Sequence, residues 1–222
     1  MPDVPGVFAV DKPLGISSAR AVAIVKKWAR QTLGEKNIKV GHGGTLDPLA
    51  SGVLVIAVGR AYTREIAQYV SADKEYVARV TLGSTSATDD AEGPIVKRAG
   101  VSVPSEVDVL RVCAQFEGDI LQMPPAFSAL KKDGERAYTK ARRGEDVVLQ
   151  PRPVHIAQIE VLAYVYPDVQ LRIVCGKGTY IRALARDIGE ALDTGAYMSA
   201  LRRTRVGVFT VADTFDMDAF EG

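Results

Sequence analysis

A chain of 222 residues, 47 % of them apolar and 25 % charged, has the composition of a globular protein that buries a substantial core. Its net charge of +1 excludes a nucleic-acid or membrane role resting on overall basicity, so any such role depends on where the charges sit. Cys113 and Cys175 are isolated in apolar stretches, which reads as buried thiols in a reducing compartment and leaves no zinc pattern with the two scattered histidines. No apolar run reaches membrane-spanning length and the N-terminus has no signal-peptide pattern, so the expectation is a soluble, intracellular protein, placed in the cytoplasm, or in a nucleus or mitochondrion if the source is eukaryotic.

In chain order, Val7 to Val10 reads as a strand, ended by the turn Asp11-Lys12-Pro13-Leu14-Gly15. Ser17 or Ser18 then caps a helix carrying Val22, Val25 and Trp28 on one face. A glycine-rich loop, Gly41 to Gly52, feeds the β-branched run Val53 to Val58, a buried strand. Gly41, Gly43 and Gly44 have no Cβ, so backbone or ligand can come close. Asp47 precedes Pro48, which limits its backbone and hence where its carboxylate points; the dipeptide fits a plain turn as well as a site. The loop has neither the Gly-Lys-Ser/Thr of a phosphate loop nor the glycine spacing of a dinucleotide fold.

Ala61 to Val70 looks helical, and Lys74 to Leu82 alternates as a half-buried strand with Tyr76, Ala78, Val80 and Leu82 on one face. Asp89, Asp90 and Glu92 lack the spacing of a calcium loop and read as a solvated acidic turn. Ser105 to Phe116 is expected to be a surface helix with Val107, Leu110 and Ala114 inward. Residues 122–153 change character: a Met123-Pro124-Pro125 opening, a turn at Asp133-Gly134, interleaved Phe127 and Tyr138, and Lys131, Lys132, Arg136, Lys140, Arg142, Arg143 and Arg152. These cations outnumber Asp133, Glu135, Glu145 and Asp146, a local excess suited to phosphate backbones. Val154 to Tyr164 and Val169 to Cys175 read as strands joined at Tyr166-Pro167-Asp168, with His155 structural. Lys177, in a Gly-flanked turn before an amphipathic helix (Ile181, Leu184, Ala185, Ile188, Leu192), is a candidate anion contact.

Three stretches carry a resemblance. Gly41 to Leu54, with its Leu46-Asp47-Pro48, is similar to the signature of the TruB-type tRNA pseudouridine synthases. Lys177-Gly178-Thr179-Tyr180-Ile181-Arg182 and Leu201-Arg202-Arg203-Thr204-Arg205-Val206-Gly207 match its second and third signatures, in the expected order. Asp11 to Ser18, Lys74-Glu75-Tyr76, Ser128 to Lys131 and Arg136-Ala137-Tyr138 also follow its pattern. The resemblance implies an α+β catalytic domain over residues 1–222, a mostly antiparallel mixed sheet flanked by helices, with 122–153 as an RNA-gripping insertion. The expectation is a short member without the C-terminal RNA-binding domain that many members carry.

The same resemblance implies the site. Asp47 would be the catalytic carboxylate, Arg182 its partner, and Tyr180 would pack at the reacting uracil. Tyr76 and Leu201 would receive the extruded base; His42, beside Gly43 and Gly44, would fill the vacated space or contact phosphate. Lys177, Lys131, Arg136, Arg142 and Arg143 would contact the RNA. A buried carboxylate needs a cation to stay charged, and an arginine fork pairs both oxygens, so an Asp47–Arg182 pair is expected. Isomerising uridine oxidises nothing and transfers no external group, so no cofactor or metal is expected; the partner is the tRNA T-arm, with no obligatory protein partner. Two rival readings are a tRNA-folding chaperone and a guide-RNA-dependent synthase subunit.

Overall fold

The computed structural model describes residues 1–128, 131–132, 135–136, 143 and 149–221. Within the expected insertion, Asp133-Gly134, Ala129-Leu130, Ala137 to Arg142 and Glu145-Asp146 lie outside the described residues, and so do the side chains of Lys131 and Arg136.

Strands are β1 (Gly6–Lys12), β2 (Val40–His42), β3 (Ala50–Val58), β4 (Lys74–Leu82), β5 (Ser84–Ser86), β6 (Ile95–Lys97) and β7 (Gly118–Gln122). They continue with β8 (Lys131–Lys132), β9 (Glu135–Arg136), β10 (Arg152–Val165), β11 (Asp168–Cys175), β12 (Ala196–Val206), β13 (Phe209–Thr210) and β14 (Thr214–Asp216). Helices are α1 (Ser18–Leu33), α2 (Arg60–Glu65), α3 (Ala67–Ser71), α4 (Glu106–Ala114) and α5 (Ile181–Ala191). The stretch expected as one helix, 61–70, is therefore two short ones. The chain packs as two compact units, Met1–Val77 with Leu201–Gly222, and Ala78–Ala200.

In the first unit β3 is the centre. Val53 to Val58 are fully buried, as a continuous β-branched run between two layers requires. β1 lies antiparallel along one edge, from Gly6 opposite Val58 to Lys12 opposite Gly52, and β14 runs parallel to β1. A strand has two edges, so β2 and β12 share the other. β2 pairs antiparallel at Ile56 to Val58, and β12 parallel at Ala50 to Gly52. The loop between β2 and β3 leaves the sheet in the gap they flank.

Period-two alternation along β1 sends Phe8 toward α1, where its ring meets Trp28, Phe215 and Phe220 at centroid distances of 6.4, 6.0 and 5.9 Å. Ala9 on the opposite face joins Val53, Val55 and Val206. Helix α1 starts at Ser17, whose hydroxyl accepts from the Arg20 N–H at 3.1 Å, and stops at left-handed Gly34. Its buried stripe is Ala21, Ile24, Val25 and Ala29; Val22 and Trp28, expected at its centre, flank it half-buried.

In the second unit β10 is paired antiparallel with β11 on one edge and β7 on the other; its hairpin with β11 closes at Val165 opposite Asp168, where Pro167 marked the turn. Ala78, Val80 and Leu82 of β4 are buried as the alternation demanded, as is Tyr76 of the same strand in the first unit. Helix α4 corrects an expectation. Val109, Val112 and Cys113 face inward, while Val107 and Leu110 are 71 % and 47 % exposed. Apolar residues lie all round this helix, so the spacing allows two stripes, and packing selects the one at positions 109, 112 and 113.

Candidate active site

The loop from His42 to Leu49 is held from several sides within the first unit. At its entry the Gly43 N–H donates to the Val55 carbonyl at 2.8 Å. A Cβ on Gly43 would stand 2.7 Å from Cβ of Tyr69 and 3.3 Å from that of Val55. The missing side chain thus lets the loop pack on the core.

Arg203 fills the gap between β2 and β12. It is 1 % exposed, and its guanidinium donates from Nε to the Val53 carbonyl (2.8 Å), from Nη2 to Gly44 (3.1 Å) and from Nη1 to Thr45 (3.4 Å). Burying a charge this deep is costly unless its donors are used, and the rigid fork matches three carbonyls at once. Arg203 also acts on His42, whose Nδ1 accepts from the Gly44 N–H at 3.3 Å. Burial first, and the positive Arg203 second, lower the His42 pKa below its ordinary 6.5, so the ring is neutral at pH 7.

Asp47 sits mid-loop, half-buried. Before it, Leu46 is bonded through both backbone atoms to the Ser18 hydroxyl, at 2.7 and 2.8 Å. After it, the Pro48 carbonyl accepts from the Gly15 N–H at 2.9 Å, while the Asp47 carbonyl accepts from Ala50 at 3.1 Å. Ala50 lies opposite Leu201 in the parallel β3–β12 register, which puts Leu201 (9 % exposed) beside the end of this loop. Tyr76 is 7 % exposed on β4; its neighbour Glu75 accepts from the Thr204 hydroxyl at 2.8 Å.

The second unit carries Tyr180 and Arg182 at the start of α5. Gln122, 1 % exposed at the end of β7, clips both backbone atoms of Tyr180: its Oε1 accepts from the Tyr180 N–H (2.8 Å) and its Nε2 donates to the Tyr180 carbonyl (3.1 Å). Arg182, 6 % exposed, places Nε 3.5 Å from Asp90 Oδ2 and donates to the carbonyls of Thr88 (3.1 Å) and Phe127 (3.0 Å). One turn on, Arg186 bonds Asp89 at 2.8 Å and the Met123 carbonyl at 2.8 Å. Together they tie the 88–90 loop and the 123–127 segment to one helix face.

The acidic turn is therefore not solvated as expected. Asp90 is 2 % exposed, accepting from the Thr88 hydroxyl and the Glu92 N–H, and Asp89 is half-buried. Burial raises the Asp89 pKa, with Arg186 and Arg182 opposing it. Lys177 is exposed in its turn, where the Thr179 hydroxyl donates to the Gly176 carbonyl, and Arg143 is exposed. His155 bonds Asp119 at 2.8 Å on the surface, in keeping with a structural role. Among the described residues no group of three His, Cys, Asp or Glu is placed to hold a metal ion.

Sequence reasoning missed Ser18, Gln122, Asp90 and Arg203 as site-building residues. Two of them left a trace: strand alternation puts Arg203 on the same face as Leu201, and Ser18 ends the Asp11 to Ser18 stretch that follows the family pattern.

Residues 30–181 match the model of the TruB family pseudouridylate synthase N-terminal domain. The chain belongs to this family. Residues 182–222 match the tRNA pseudouridylate synthase B C-terminal domain. The TruB-family chain is 45 % identical over 214 residues to tRNA pseudouridine synthase B of Phocaeicola vulgatus, covering 96 % of this chain and 91 % of that one. It is also 45 % identical to that of Cutibacterium acnes, covering 96 % and 73 %. Among solved structures it is similar to a chain of a Cbf5-Nop10-Gar1 complex (TM-score 0.72, 35 % identity), covering 96 % of this chain and about half, 53 %, of the other. The α+β fold with a mostly antiparallel mixed sheet flanked by helices is thus the pseudouridine synthase fold.

Proposed function

We propose that the chain converts a uridine in the T-loop of tRNA to pseudouridine, acting in the cytoplasm with Asp47 as the reacting carboxylate and with no cofactor or protein partner. The observation that carries the reading is the fixing of Asp47, whose neighbour Leu46 is bonded to Ser18 at the start of α1 and whose neighbour Pro48 is bonded to Gly15 in the turn before it.

The reaction breaks the C1′–N1 bond, turns the uracil and rejoins it through C5; C5 loses a proton and N1 gains one. A carboxylate at the sugar serves this chemistry either by attacking C1′ or by taking the C2′ proton, and both need it held in place. Extruding the uridine costs a few kcal/mol, offset where a side chain fills the gap and aromatic faces receive the base. His42, neutral and half-buried, suits the first task without the cost of inserting a charge. Tyr76, Tyr180 and Leu201 are assigned the second. Arg182, anchored by Asp90, is assigned to pairing with the catalytic carboxylate.

Phosphate contact falls to Lys177, Lys131, Arg136, Arg142 and Arg143, and to helix α1. That helix contains Arg20, Lys26, Lys27 and Arg30 and no acidic residue, in a chain of net charge +1. Such local concentration is the electrostatic footprint of nucleic-acid binding.

The test is an unmodified tRNA transcript carrying tritium at uridine C5, incubated with the protein alone. Tritium release confined to one T-loop uridine, and abolished when that uridine is replaced by cytidine, is the expected result. Likeness to a chain from a Cbf5-Nop10-Gar1 complex keeps the guide-RNA-dependent synthase subunit as the second reading; release only after a guide RNA and partner proteins are added would select it.

A further inference from the structure

We propose that Ser18 is a positioning residue for Asp47, its hydroxyl fixing the backbone from which the carboxylate projects. The proposal rests on Asp47 being the reacting carboxylate.

Ser17 and Ser18 both stand at the start of α1, and they divide the work. Ser17 caps the helix, accepting from the Arg20 N–H. Ser18 takes no part in the cap. Its hydroxyl turns to Leu46, 28 residues away, where it accepts from the N–H at 2.7 Å and donates to the carbonyl at 2.8 Å. One proton and two lone pairs allow a single hydroxyl to do both. Ser18 is 2 % exposed and Leu46 3 %, so water is poorly placed to substitute.

The other side of Asp47 is held by the same turn. Gly15 donates to the Pro48 carbonyl, and the proline ring restricts the Asp47 backbone that precedes it. The turn is itself closed by Lys12, fully buried, whose Nζ donates to the carbonyls of Pro13 and Ile16 at 2.8 Å each. Residues 12–18 thus form a template against which residues 46 and 48 are set, with Asp47 between them. Losing the Ser18 hydroxyl frees one of the two brackets. A carboxylate displaced by about 1 Å loses on the order of 100-fold in rate, with no RNA contact removed.

The experiment compares Ser18→Ala, Ser18→Thr, Ser17→Ala and Asp47→Asn. Each is measured for single-turnover pseudouridine formation at saturating T-arm RNA, for affinity for that RNA and for thermal stability. Ser18→Ala is expected to react about 100-fold more slowly with affinity within about twofold. Ser18→Thr, which keeps the hydroxyl, recovers most of the rate. Ser17→Ala loses stability through its cap and reacts within about twofold of wild type. Should Ser18→Ala fail to fold, Ser18→Cys replaces it under the same criteria, because a thiol bonds weakly and at longer distance. Ser18→Ala reacting within about threefold of wild type overturns the proposal, as does equal slowing by Ser17→Ala, which would make it a matter of helix stability. Full activity of Asp47→Asn overturns the reading of Asp47 instead, whatever Ser18 does.

Discussion

Replacing Arg203 by Met keeps an unbranched, flexible stem, two atoms shorter, and removes every donor from the gap beside β3. Three carbonyls then lose a partner: Val53 at 2.8 Å, Gly44 at 3.1 Å and Thr45 at 3.4 Å. A buried group left unsatisfied costs about 1–3 kcal/mol, so the two shorter bonds alone account for roughly 2–6 kcal/mol. Removing a buried charge offsets part of this, and a net loss of about 3 kcal/mol is expected. In a chain of this size that lowers Tm by about 6–12 °C. A second readout comes from His42. Arg203 is the second largest of the influences lowering its pKa, so the variant's His42 titrates closer to 6.5, burial still holding it below. Scanning calorimetry and an NMR titration of the imidazole measure the two effects. A Tm unchanged or raised would show that the guanidinium's desolvation outweighs its bonds. An unmoved His42 would show that its charge is not felt at the loop.

Stability should also depend on His42 through pH. The unfolded ring binds its proton near pH 6.5 and the folded ring only below that, so the contribution is complete above about pH 7 and lost as pH falls from 6.5 toward the folded pKa. Urea midpoints between pH 5 and 7.5 check this, and His42→Gln should flatten that limb of the profile. Gly52→Ala should destabilise by about 2–4 kcal/mol, from strain and overpacking together. Gly52 has φ +107° and an added Cβ would collide with the Arg203 carbonyl, so a wild-type melting curve for this variant would refute the parallel register. Lys27→Glu with Arg30→Glu should weaken T-arm binding and lower the slope of log affinity against log salt by about one unit for each cation that contacts phosphate. An unchanged slope removes α1 from the RNA surface.

What the sequence revealed was what is written locally. β3 was legible because its β-branched run is continuous, β4 because Tyr76, Ala78, Val80 and Leu82 alternate, and the β10–β11 hairpin because Pro167 interrupts two apolar runs. Asp47 was singled out by resemblance; its residue type alone fitted a turn as well as a site. The supports of the site escaped because they act at a distance. Ser18 reaches Leu46 across 28 residues, Gln122 reaches Tyr180 across 58, and Arg203 reaches Val53 across 150. Each bonds to backbone atoms, which have no residue signature. Asp90 looked like one acid among three in a polar loop until Arg182, on another element, was seen to bury it. The face of α4 was misjudged because its apolar residues encircle the helix.

The most direct measurement is pseudouridine formation on an unmodified T-arm transcript by wild type and by Asp47→Asn, with no cofactor, metal or other protein added. The account predicts conversion of one loop uridine by wild type and none by the variant, with both binding the RNA equally. Conversion by Asp47→Asn at the wild-type rate, or tight binding without conversion by wild type, would contradict it.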